Sequence, residues 1–547
     1  MAEDTALFSK NAPGSSSSNP RSAGSLPRWL GFDEKPAPAS SSYHLARFLI
    51  LRLLGLIYLT AFAIVLLQGL PLLGEHGLLP ISDFTARVAA RLGSRLDAFE
   101  RLPSLFWFAS SDSVLLAGAW YGMLLSLFVL CGGTNAVVMA LLWALYMSYV
   151  HVGQDWYGYG WEIQLLETGF LAIFLCPVLS WRPFPAHRPP PIVIGLLRWL
   201  IFRIMVGAGL IKLRGDSCWR DLTCLRYHYE TQPVPNPFSR VLHFAPAWVA
   251  TLGALFNHIT EIGAPWLMLM GRAATRAAGM LFITFQVVLI ASGNLSFLNW
   301  LTIVPALACF DDAFLAWWLP RPMLRVAREA EEAAALDISY RSHERRIARA
   351  VPVAIVAATV ALLSVPVVRN LVSGHQVMNT SFNPLDLVNT YGAFGSVGRE
   401  RREIVFEGTT GNPSDEHTTW REYHFHCAPT DPARRPCVIS PYHYRLDWQI
   451  WFAAMAAPGD YPWTMRFVWK LLHNDPLALS LLPDNPFPTG PPRYIRARLY
   501  TYRFAPADSG RWWDRELIGD WIPPVSIEDQ RLRSFLRAYG WLPTAAQ

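Results

Sequence analysis

Residues 192–240 read IVIGLLRWLIFRIMVGAGLIKLRGDSCWRDLTCLRYHYETQPVPNPFSR. This stretch begins as an apolar run, passes through charged residues, brackets a tryptophan with two cysteines and ends in prolines. About 20 predominantly apolar residues allow a helix to cross the hydrocarbon core of a bilayer, and Ile192–Leu213 has that length. The whole chain has the same character, because 52% of its 547 residues are hydrophobic and 16% are charged. This composition favours a membrane protein.

Similar apolar runs recur along the chain, and together they predict a polytopic α-helical membrane protein with about nine transmembrane helices. The first run lies far from the N-terminus and lacks a small-residue cleavage site, so we interpret it as a retained helix and not as a signal peptide. The predicted helices are Phe48–Leu70, Val114–Cys131, Ala136–Val152, Trp161–Leu179, Ile192–Leu213, Trp248–Met270, Ala277–Ala291, Phe297–Leu319 and Ala350–Val368.

The distribution of arginine and lysine orients these helices, because short cytoplasmic loops carry an excess of both residues. The most basic connection is 320–349, which we place in the cytoplasm with a disordered serine-rich segment at 1–42. Residues 43–371 then form the helical bundle. Its loop 214–246 and the C-terminal residues 372–547 are predicted to lie on the opposite, non-cytoplasmic side.

The composition and polarity pattern of residues 372–547 differ from those of the predicted bundle. The stretches REIVFEG (402–408), WREYHFHC (420–427) and RYIRARLYTYRF (493–504) alternate in polarity between turn-forming residues, which predicts strands of a soluble, β-rich domain. Aromatic residues are dense at 442–455, YHYRLDWQIWFAAM. Such side chains either pack a core or expose a binding surface.

Four of the seven cysteines form two close pairs, Cys218 with Cys224 and Cys427 with Cys437. Both pairs are predicted to lie on the non-cytoplasmic side, where an oxidising compartment allows disulfides to persist. We therefore predict a disulfide within each pair. Free thiols or metal ligands are the alternatives, although neither segment has a second cysteine pair or a histidine at zinc spacing.

Two sequons for N-glycosylation occur on the predicted non-cytoplasmic side. Asn379 begins NTS just beyond the last predicted helix, and it is the predicted glycosylation site. Asn294 begins NLS in a short connection between two helices. That connection is too short to carry the acceptor clear of the bilayer, so Asn294 is expected to remain unmodified.

Ionisable residues inside the predicted helices are costly in lipid and therefore candidates for function. A rise of 1.5 Å per residue places Arg203 and Glu261 at similar depths, so we predict an ion pair between them, directly or through Glu167. Packing between helices, catalysis and a pathway for lipid or ions remain open as roles. The ionisable residues considered are Glu162, Glu167, Arg198, Arg203, Lys212, His258 and Glu261.

Four long stretches carry a resemblance to a known family. Residues 199–237, 293–312, 377–397 and 434–454 resemble the lipase maturation factor family, and the similarity extends from about residue 43 almost to the C-terminus. The resemblance implies a multi-pass protein of the endoplasmic reticulum membrane, with its C-terminal domain in the lumen, or of the plasma membrane if the source is bacterial. It further implies that this domain helps secreted homodimeric lipases, lipoprotein lipase among them, to reach an active fold, either directly or with other chaperones.

If the C-terminal domain holds incompletely folded lipase, exposed aromatic rings are suitable contacts. The first candidates for binding the client are Tyr442, Tyr444, Trp448 and Trp451. No cofactor, metal site or nucleic-acid partner is predicted.

An enzyme is the alternative, because the membrane part is distantly similar to that of the vitamin-K-dependent carboxylase. Lys212, His258 and Glu261 supply a base and a cation for such a reaction. The sequence contains no nucleophile elbow, metal-binding helix, phosphate loop or dinucleotide fingerprint. We therefore expect a folding factor and not an enzyme.

Overall fold

The computed structural model describes residues 42–340 and 343–543. Apart from Ser42, the predicted disordered segment 1–42 lies outside these residues. The described residues form a helical bundle followed by a small sheet with helices around it. The helices up to residue 372 are, in chain order, α1 (His44–Leu73), α2 (Ile81–Leu92), α3 (Arg95–Arg101), α4 (Asp112–Leu130), α5 (Ala136–Val152), α6 (Gly160–Ile173), α7 (Pro191–Gly215), α8 (Ser217–Arg220), α9 (Leu225–Thr231), α10 (Pro237–His243), α11 (Ala247–His258), α12 (Ala264–Leu267), α13 (Arg272–Ser292), α14 (Leu298–Ala306), α15 (Asp312–Leu315), α16 (Arg321–Tyr340) and α17 (His343–Val372).

Five helical segments among the described residues are long and apolar enough to cross a membrane. They are α1, α4, α7, α13 and the part of α17 from Ala350 to Val372. Two other apolar segments, Ala136–Val152 and Leu298–Cys309, are shorter. The multi-pass helical prediction therefore holds, whereas nine long spanning helices are not confirmed.

Local chemistry interrupts three of the predicted runs. The run from Trp161 is helical only to Ile173. The run from Trp248 contains a π-helical turn at Ile259–Gly263, which ends two residues before Pro265. The run from Phe297 contains Pro305, and its regular helix ends at Ala306 in a 3₁₀ turn at Leu307–Cys309, near the middle of the run. Proline removes a backbone donor and clashes with the preceding turn, so a regular long helix is disfavoured at such positions.

One face of the bundle, which we call the N-terminal face, contains the start of α1. The backbone N–H of His44 donates to Asp312 Oδ2 at 2.9 Å, which places the segment after α14 beside the start of α1. Near the start of α13, Arg276 Nη2 lies 2.7 Å from Asp311 Oδ2. Helices α1 and α13 therefore begin at the face where α14 ends.

The opposite face, which we call the C-terminal face, contains the end of α1. There the N–H of Glu75 donates to Asp112 Oδ1 at 2.8 Å and so joins the end of α1 to the start of α4. Arg214 Nη1 donates to the carbonyl of Leu371 at 2.8 Å, which brings together the ends of α7 and α17. Within the described residues, nine helical passages alternate between the two faces, namely α1, α4, α5, α6, α7, α11 with α12, α13, α14 and α17.

The connections between passages are themselves folded. Loop 214–246 contains α8, α9 and α10 at the C-terminal face, where Trp219 Nε1 donates to the carbonyl of Phe394 at 2.8 Å. The connection 320–349 is largely helical and contains α16 at the N-terminal face. Within α16, Glu331 Oε1 lies 2.6 Å from Arg188 Nη2 in the connection before α7.

The C-terminal domain is built on one antiparallel sheet with the strand order β2-β1-β3-β4. The predicted strands at 402–408 and 493–504 lie within β1 and β3, whereas the stretch 420–427 is a strand only in its first part. The aromatic stretch 442–455 is mostly helical. The elements are β1 (Arg401–Thr409), β2 (Arg421–Tyr423), α18 (Arg445–Ala453), α19 (Trp463–Leu472), α20 (Pro476–Leu479), β3 (Tyr494–Phe504), β4 (Trp513–Val525) and α21 (Gln530–Ala538).

Side chains alternate between the two sides of the sheet along each strand, and both sides carry apolar residues. Phe406 on β1 packs edge-to-face on Phe467 of α19, with ring centroids 5.4 Å apart. On another face, Phe504 stacks on Trp513 at 4.1 Å, in a separate small core with Val405. Both faces of the sheet therefore carry an apolar core, unlike a half-buried sheet with one face in water.

Arg445, the first residue of α18, joins the C-terminal domain to the bundle. Its Nη1 donates to Glu162 Oε1 on α6 at 2.8 Å, and both side chains are almost completely buried. Its backbone N–H donates to Gln68 Oε1 on α1 at 2.8 Å. Tyr146 and Trp161 donate to the same Glu162 carboxylate. The two parts of the chain therefore share one buried polar cluster.

Replacing Arg445 with methionine is expected to destabilise the protein by about 3–5 kcal/mol, because Glu162 loses the cation that compensates its buried charge. The double variant Arg445→Met with Glu162→Gln should recover part of that loss. Thermal unfolding of the purified protein and its abundance in membranes measure the effect.

The matched control is Arg503→Met, since Arg503 is an exposed arginine of the same domain. Equal stability of the Arg445 and Arg503 variants would show that the buried pair does not hold the two parts together.

Candidate functional site

The junction between the bundle and the C-terminal domain contains most of the ionisable residues that the sequence marks as candidates. The structure sorts them into three buried ion pairs: Arg445 with Glu162, Arg203 with Glu167, and Lys212 with Glu261. Arg198 lies elsewhere, near the N-terminal face, and donates to the carbonyl of Ala308 at 2.9 Å. A charge in an apolar environment requires such compensation.

The pair of Arg203 and Glu167 is completed by the segment that follows α17. Arg203 Nη1 donates to the carbonyl of Asn389 at 2.9 Å. Glu167 Oε2 accepts from the N–H of Asn389 at 3.0 Å and from the hydroxyl of Tyr391 at 2.7 Å. Residues from beyond the last helix of the bundle therefore satisfy a pair on α6 and α7.

The predicted direct pair of Arg203 with Glu261 is wrong, because Glu261 pairs with Lys212. Arg203 pairs with Glu167, the residue that the prediction named as the alternative link. Lys212 Nζ lies 2.6 Å from Glu261 Oε1 and donates to Asn257 Oδ1 at 2.8 Å. Asn257 in turn donates to Glu261 Oε2 at 3.0 Å.

The error lies in the predicted depth of Glu261. A β-carbon at Gly209 would lie 3.1 Å from Glu261 Cβ, so Glu261 is level with the last turns of α7. Nine residues separate Arg203 from Lys212, which corresponds to about 14 Å along a helix. The prediction assumed that the run from Trp248 starts level with the end of α7, whereas α11 begins beyond that end.

His258, the third proposed catalytic residue, faces the loop and not the ion pair. Its Nε2 lies 2.9 Å from the carbonyl oxygen of Trp219. Lys212 Nζ lies 5.0 Å from the centroid of the Trp219 ring, a cation–π distance. The arrangement therefore places the lysine between a carboxylate, an amide and an aromatic ring, all of which stabilise its charge.

Both predicted cysteine pairs are joined as disulfides in the structure, Cys218 with Cys224 and Cys427 with Cys437. Asp216 lies beside the first bond, and its carboxylate and the two sulfur atoms lie within 4.8 Å of one another. Zinc binds thiolates, so sulfur atoms joined to each other do not serve as its ligands.

The second disulfide lies next to a buried carboxylate. Asp447 Oδ2 accepts from the N–H of Cys427 at 2.5 Å and from the N–H of Ala428 at 2.8 Å. Burial raises the pKa of Asp447 to about 6, and the two backbone donors oppose that rise. The carboxylate therefore fixes the start of the disulfide loop against α18.

The two sequons differ in accessibility. Asn379 is exposed, and its Oδ1 accepts from the N–H of Gly392 at 3.3 Å. Asn294 is buried, and its amide donates to the carbonyl of Cys437 at 2.9 Å while its Oδ1 accepts from the N–H of Ile439 at 3.0 Å. Burial and hydrogen bonding, in addition to loop length, thus oppose modification of Asn294 in the folded protein.

The four aromatic residues predicted to bind the client do not form an exposed surface. Trp448 is 4% exposed and packs edge-to-face on Trp161, with centroids 4.8 Å apart. Tyr442 accepts from Gln68 of α1 at 2.8 Å, and Trp451 donates to the carbonyl of Thr231 in the loop at 3.0 Å. The rings face the bundle because α18 lies across it, and only Tyr444 of the four lacks such a contact among the described residues.

Several residues that build the junction were not predicted from the sequence. His443 lies between α6 and α14, where its Nδ1 is 2.7 Å from Ser296 Oγ. Burial and the neighbouring Arg445 lower its pKa well below the usual range, so the ring is neutral near pH 7. On β1, burial raises the pKa of Glu403 to about 7 although Arg401 lies beside it. Charged and histidine residues within an aromatic stretch are the signal that marks this kind of site.

A cavity of about 340 Å³ lies within the junction. Its walls come from α6, α7, α13 and α14, from the segment 378–396 and from α18. Trp448 and Trp451, two of the predicted client contacts, line it together with Glu261.

Comparison with known proteins identifies both parts of the chain. The family model for the lipase maturation factor transmembrane domain matches residues 45–317, and the model for the lipase maturation factor C-terminal domain matches residues 387–523. The chain is 46% identical over 539 residues to Lipase maturation factor 1 of Bos taurus, with 94% of this chain and 95% of the relative covered.

Two human relatives give the same result. The chain is 46% identical to Lipase maturation factor 1 of Homo sapiens, with 92% of this chain and 91% of the relative covered. It is 29% identical to Lipase maturation factor 2 of Homo sapiens, with 91% and 85% covered. No solved structure matches the chain.

Glu261→Gln is expected to destabilise the protein by about 3–5 kcal/mol, since it leaves Lys212 as an uncompensated buried cation. Lys212→Met combined with Glu261→Gln should restore part of the stability. Thermal unfolding and membrane abundance are the measurements. A Glu261→Gln protein with normal stability and abundance but no function would contradict the structural role and favour a catalytic one.

Proposed function

The chain belongs to the lipase maturation factor family, and on that premise we propose that it resides in the endoplasmic reticulum membrane and helps secreted homodimeric lipases to reach their active fold. The similarity to relatives with this name extends over both the bundle and the C-terminal domain, and this observation carries the proposal. Lipoprotein lipase is the client class that we propose.

We propose that the nine helical passages cross the membrane, with the N-terminus in the cytoplasm and the C-terminal domain in the lumen. The alternation of the passages between two faces supports this topology. Both disulfides lie at the C-terminal face or in the C-terminal domain, and disulfides persist in an oxidising lumen. The exposed sequon at Asn379 is on the same side.

The client surface that we propose lies on β4, at one edge of the sheet. Leu517 and Ile518 on this strand are 46% and 50% exposed. No strand of the described residues pairs with the outer side of β4, and an unpaired edge accepts an extended segment by backbone hydrogen bonding. An incompletely folded lipase supplies such segments and apolar side chains to cover the two residues.

The exposed apolar residues of loop 214–246 have a different explanation. Phe238, Val241 and Phe244 belong to or follow α10, and Trp248 lies at the start of α11. The outer face of α11 continues with exposed Leu252. Aromatic residues at the end of a membrane helix are typical of the interface with the lipid head groups.

A folding role also agrees better with the buried charges than catalysis does. Lys212 and Glu261 are directed at each other and at Asn257, and His258 is hydrogen bonded to the loop backbone. Because these groups already bind one another or the backbone, they are not free to act as acids or bases in a reaction. We therefore propose a folding factor that acts on lipase polypeptides.

Asn379 is expected to carry an N-glycan in a eukaryotic host, since it is exposed on the proposed lumenal side. Asn379→Gln should increase electrophoretic mobility and remove sensitivity to glycosidase, whereas Asn294→Gln should change neither. An acceptor engineered into α16 should stay unmodified. Modification of α16 instead would place the C-terminal domain in the cytoplasm.

The proposed client surface is tested in cells that lack their own lipase maturation factor and express lipoprotein lipase. Leu517→Glu with Ile518→Glu should lower lipase activity per unit of lipase protein by about tenfold or more, because two buried charges oppose an apolar contact. The abundance of the variant should stay normal. Met455→Glu is the matched control, since Met455 is a 53% exposed apolar residue of the same domain.

Point variants are preferable to deletion of residues 372–547. The deletion also removes Asn389, Tyr391 and Arg445, which satisfy charges of the bundle.

Full specific activity of lipase with the double glutamate variant would exclude β4 as the client surface. Lack of activity with the wild-type chain as well would contradict the lipase role itself.

A further inference from the structure

The cavity at the junction has the size and wall chemistry of a site for a small amphipathic molecule. Its volume of about 340 Å³ lies within the range of ligand pockets. A cavity of about 150 Å³ holds a benzene molecule, so this one has room for roughly a dozen non-hydrogen atoms.

Most of the wall is apolar, and the polar groups of two of its aromatic residues, Trp161 and Tyr391, are directed into the protein. Trp161 Nε1 donates to Glu162 at 3.0 Å, and the hydroxyl of Tyr391 donates to Glu167 at 2.7 Å. Phe285 of α13 and Leu295 also line the space. A hydrocarbon chain is the group that such a wall favours.

Two amides interrupt this apolar wall on adjacent helices. Gln286 of α13 and Asn299 of α14 line the cavity, and each is only 3% exposed. Neither side chain makes a hydrogen bond to any residue that the structure describes, in contrast to Gln164 on the same wall, which donates to Thr302 Oγ1 at 3.0 Å. A buried amide without a partner is costly, so the pair is suited to a ligand that supplies both a donor and an acceptor.

The charge of the wall argues against an anionic ligand. Glu261 lines the cavity, whereas its partner Lys212 does not. The charge of Glu261 is already matched by Lys212, and no cation among the described lining residues is available to compensate a fatty acid anion. Hydroxyl, ester and amide groups are neutral and match the two free amides.

The cavity opens at the C-terminal face. Met378, Asn379 and Ser396 line it and are exposed. A molecule with one apolar chain and a polar end can therefore enter at the level where the bundle meets the C-terminal domain.

We infer that this cavity binds an uncharged single-chain lipid, with its acyl chain against the aromatic wall and its hydroxyl or ester group on Gln286 and Asn299. This site is separate from the proposed client surface on β4 and does not depend on the lipase role. Its occupancy would stabilise the contact between the bundle and α18, because both contribute to the wall.

The test uses the purified full chain in detergent and two radiolabelled probes of equal chain length, 1-decanol and decanoate, each with about a dozen non-hydrogen atoms. The neutral probe should bind saturably with one site per chain, and decanoate at least about tenfold more weakly. Gln286→Leu and Asn299→Leu should each weaken binding of the neutral probe by about 3- to 10-fold, as expected for loss of one hydrogen bond. Ala208→Phe, which places a ring in the cavity, should abolish it.

The matched control is Thr284→Leu, an equally apolar change at an exposed position on α13. It should leave binding unchanged. The two leucine variants remove polar atoms without adding non-hydrogen atoms, so they keep the test valid even if Ala208→Phe fails to fold. Non-saturable uptake that is equal in all variants would show simple partitioning into detergent and overturn the inference. Saturable binding that favours decanoate, or no saturable binding of either probe, would overturn it as well.

Discussion

The buried ion pair between Arg445 and Glu162 is the interaction on which the rest of the structure depends. Glu162 lies on a helix of the bundle, and its compensating cation comes from a helix nearly 300 residues later in the chain. An unpaired carboxylate in such surroundings is strongly unfavourable. The buried charge of Glu162 is therefore compensated only when the C-terminal domain is docked on the bundle. We expect the two parts to fold and unfold together.

Close backbone packing on α7 reinforces this dependence. A β-carbon at Gly207 would lie 2.5 Å from the carbonyl oxygen of Tyr391, and one at Gly215 would collide with the carbonyl of Gly395. On another side of the helix, Gly209 allows the close approach of Ile262 in the π-helical turn. Small residues permit helices and backbone segments to approach in this way. The glycines of α7 thus allow the segment 391–395 and the carboxylate of Glu261 to approach the helix closely, next to the buried charges.

Hydrophobic run length predicted where the long helices lie, because apolar composition and the thickness of a bilayer are local constraints. The partners of the buried charges were not predictable in the same way. The partner of Glu261 depends on where α11 starts relative to the end of α7, and a straight-helix calculation misses that offset. The hydrogen bonds of Asn389 to Glu167 depend on how the chain returns after α17, for which a single sequence has no local signal.

The aromatic stretch around Trp448 shows a related limit of the sequence. A high density of aromatic residues indicates a large apolar contact surface but does not show what packs against it. Here the helical bundle of the same chain packs against it. The cysteine pairs were easier, because a short loop brings both sulfur atoms together whatever the distant fold. The cavity could not be predicted from local sequence features, because its walls come from helices and segments far apart in sequence.

The use of these aromatic residues at the junction constrains how the protein can assist folding of a client. A surface that holds incompletely folded chains must be exposed, yet the aromatic residues of α18 and the segment before it are covered by the bundle. Release of these residues would separate Arg445 from Glu162 and leave Glu162 on the bundle without its compensating cation. The domain therefore cannot offer its aromatic core to a client in the way that an opening chaperone does. Client binding must use groups that are free in the docked state, and the unpaired edge of the sheet is one that the docked state leaves accessible.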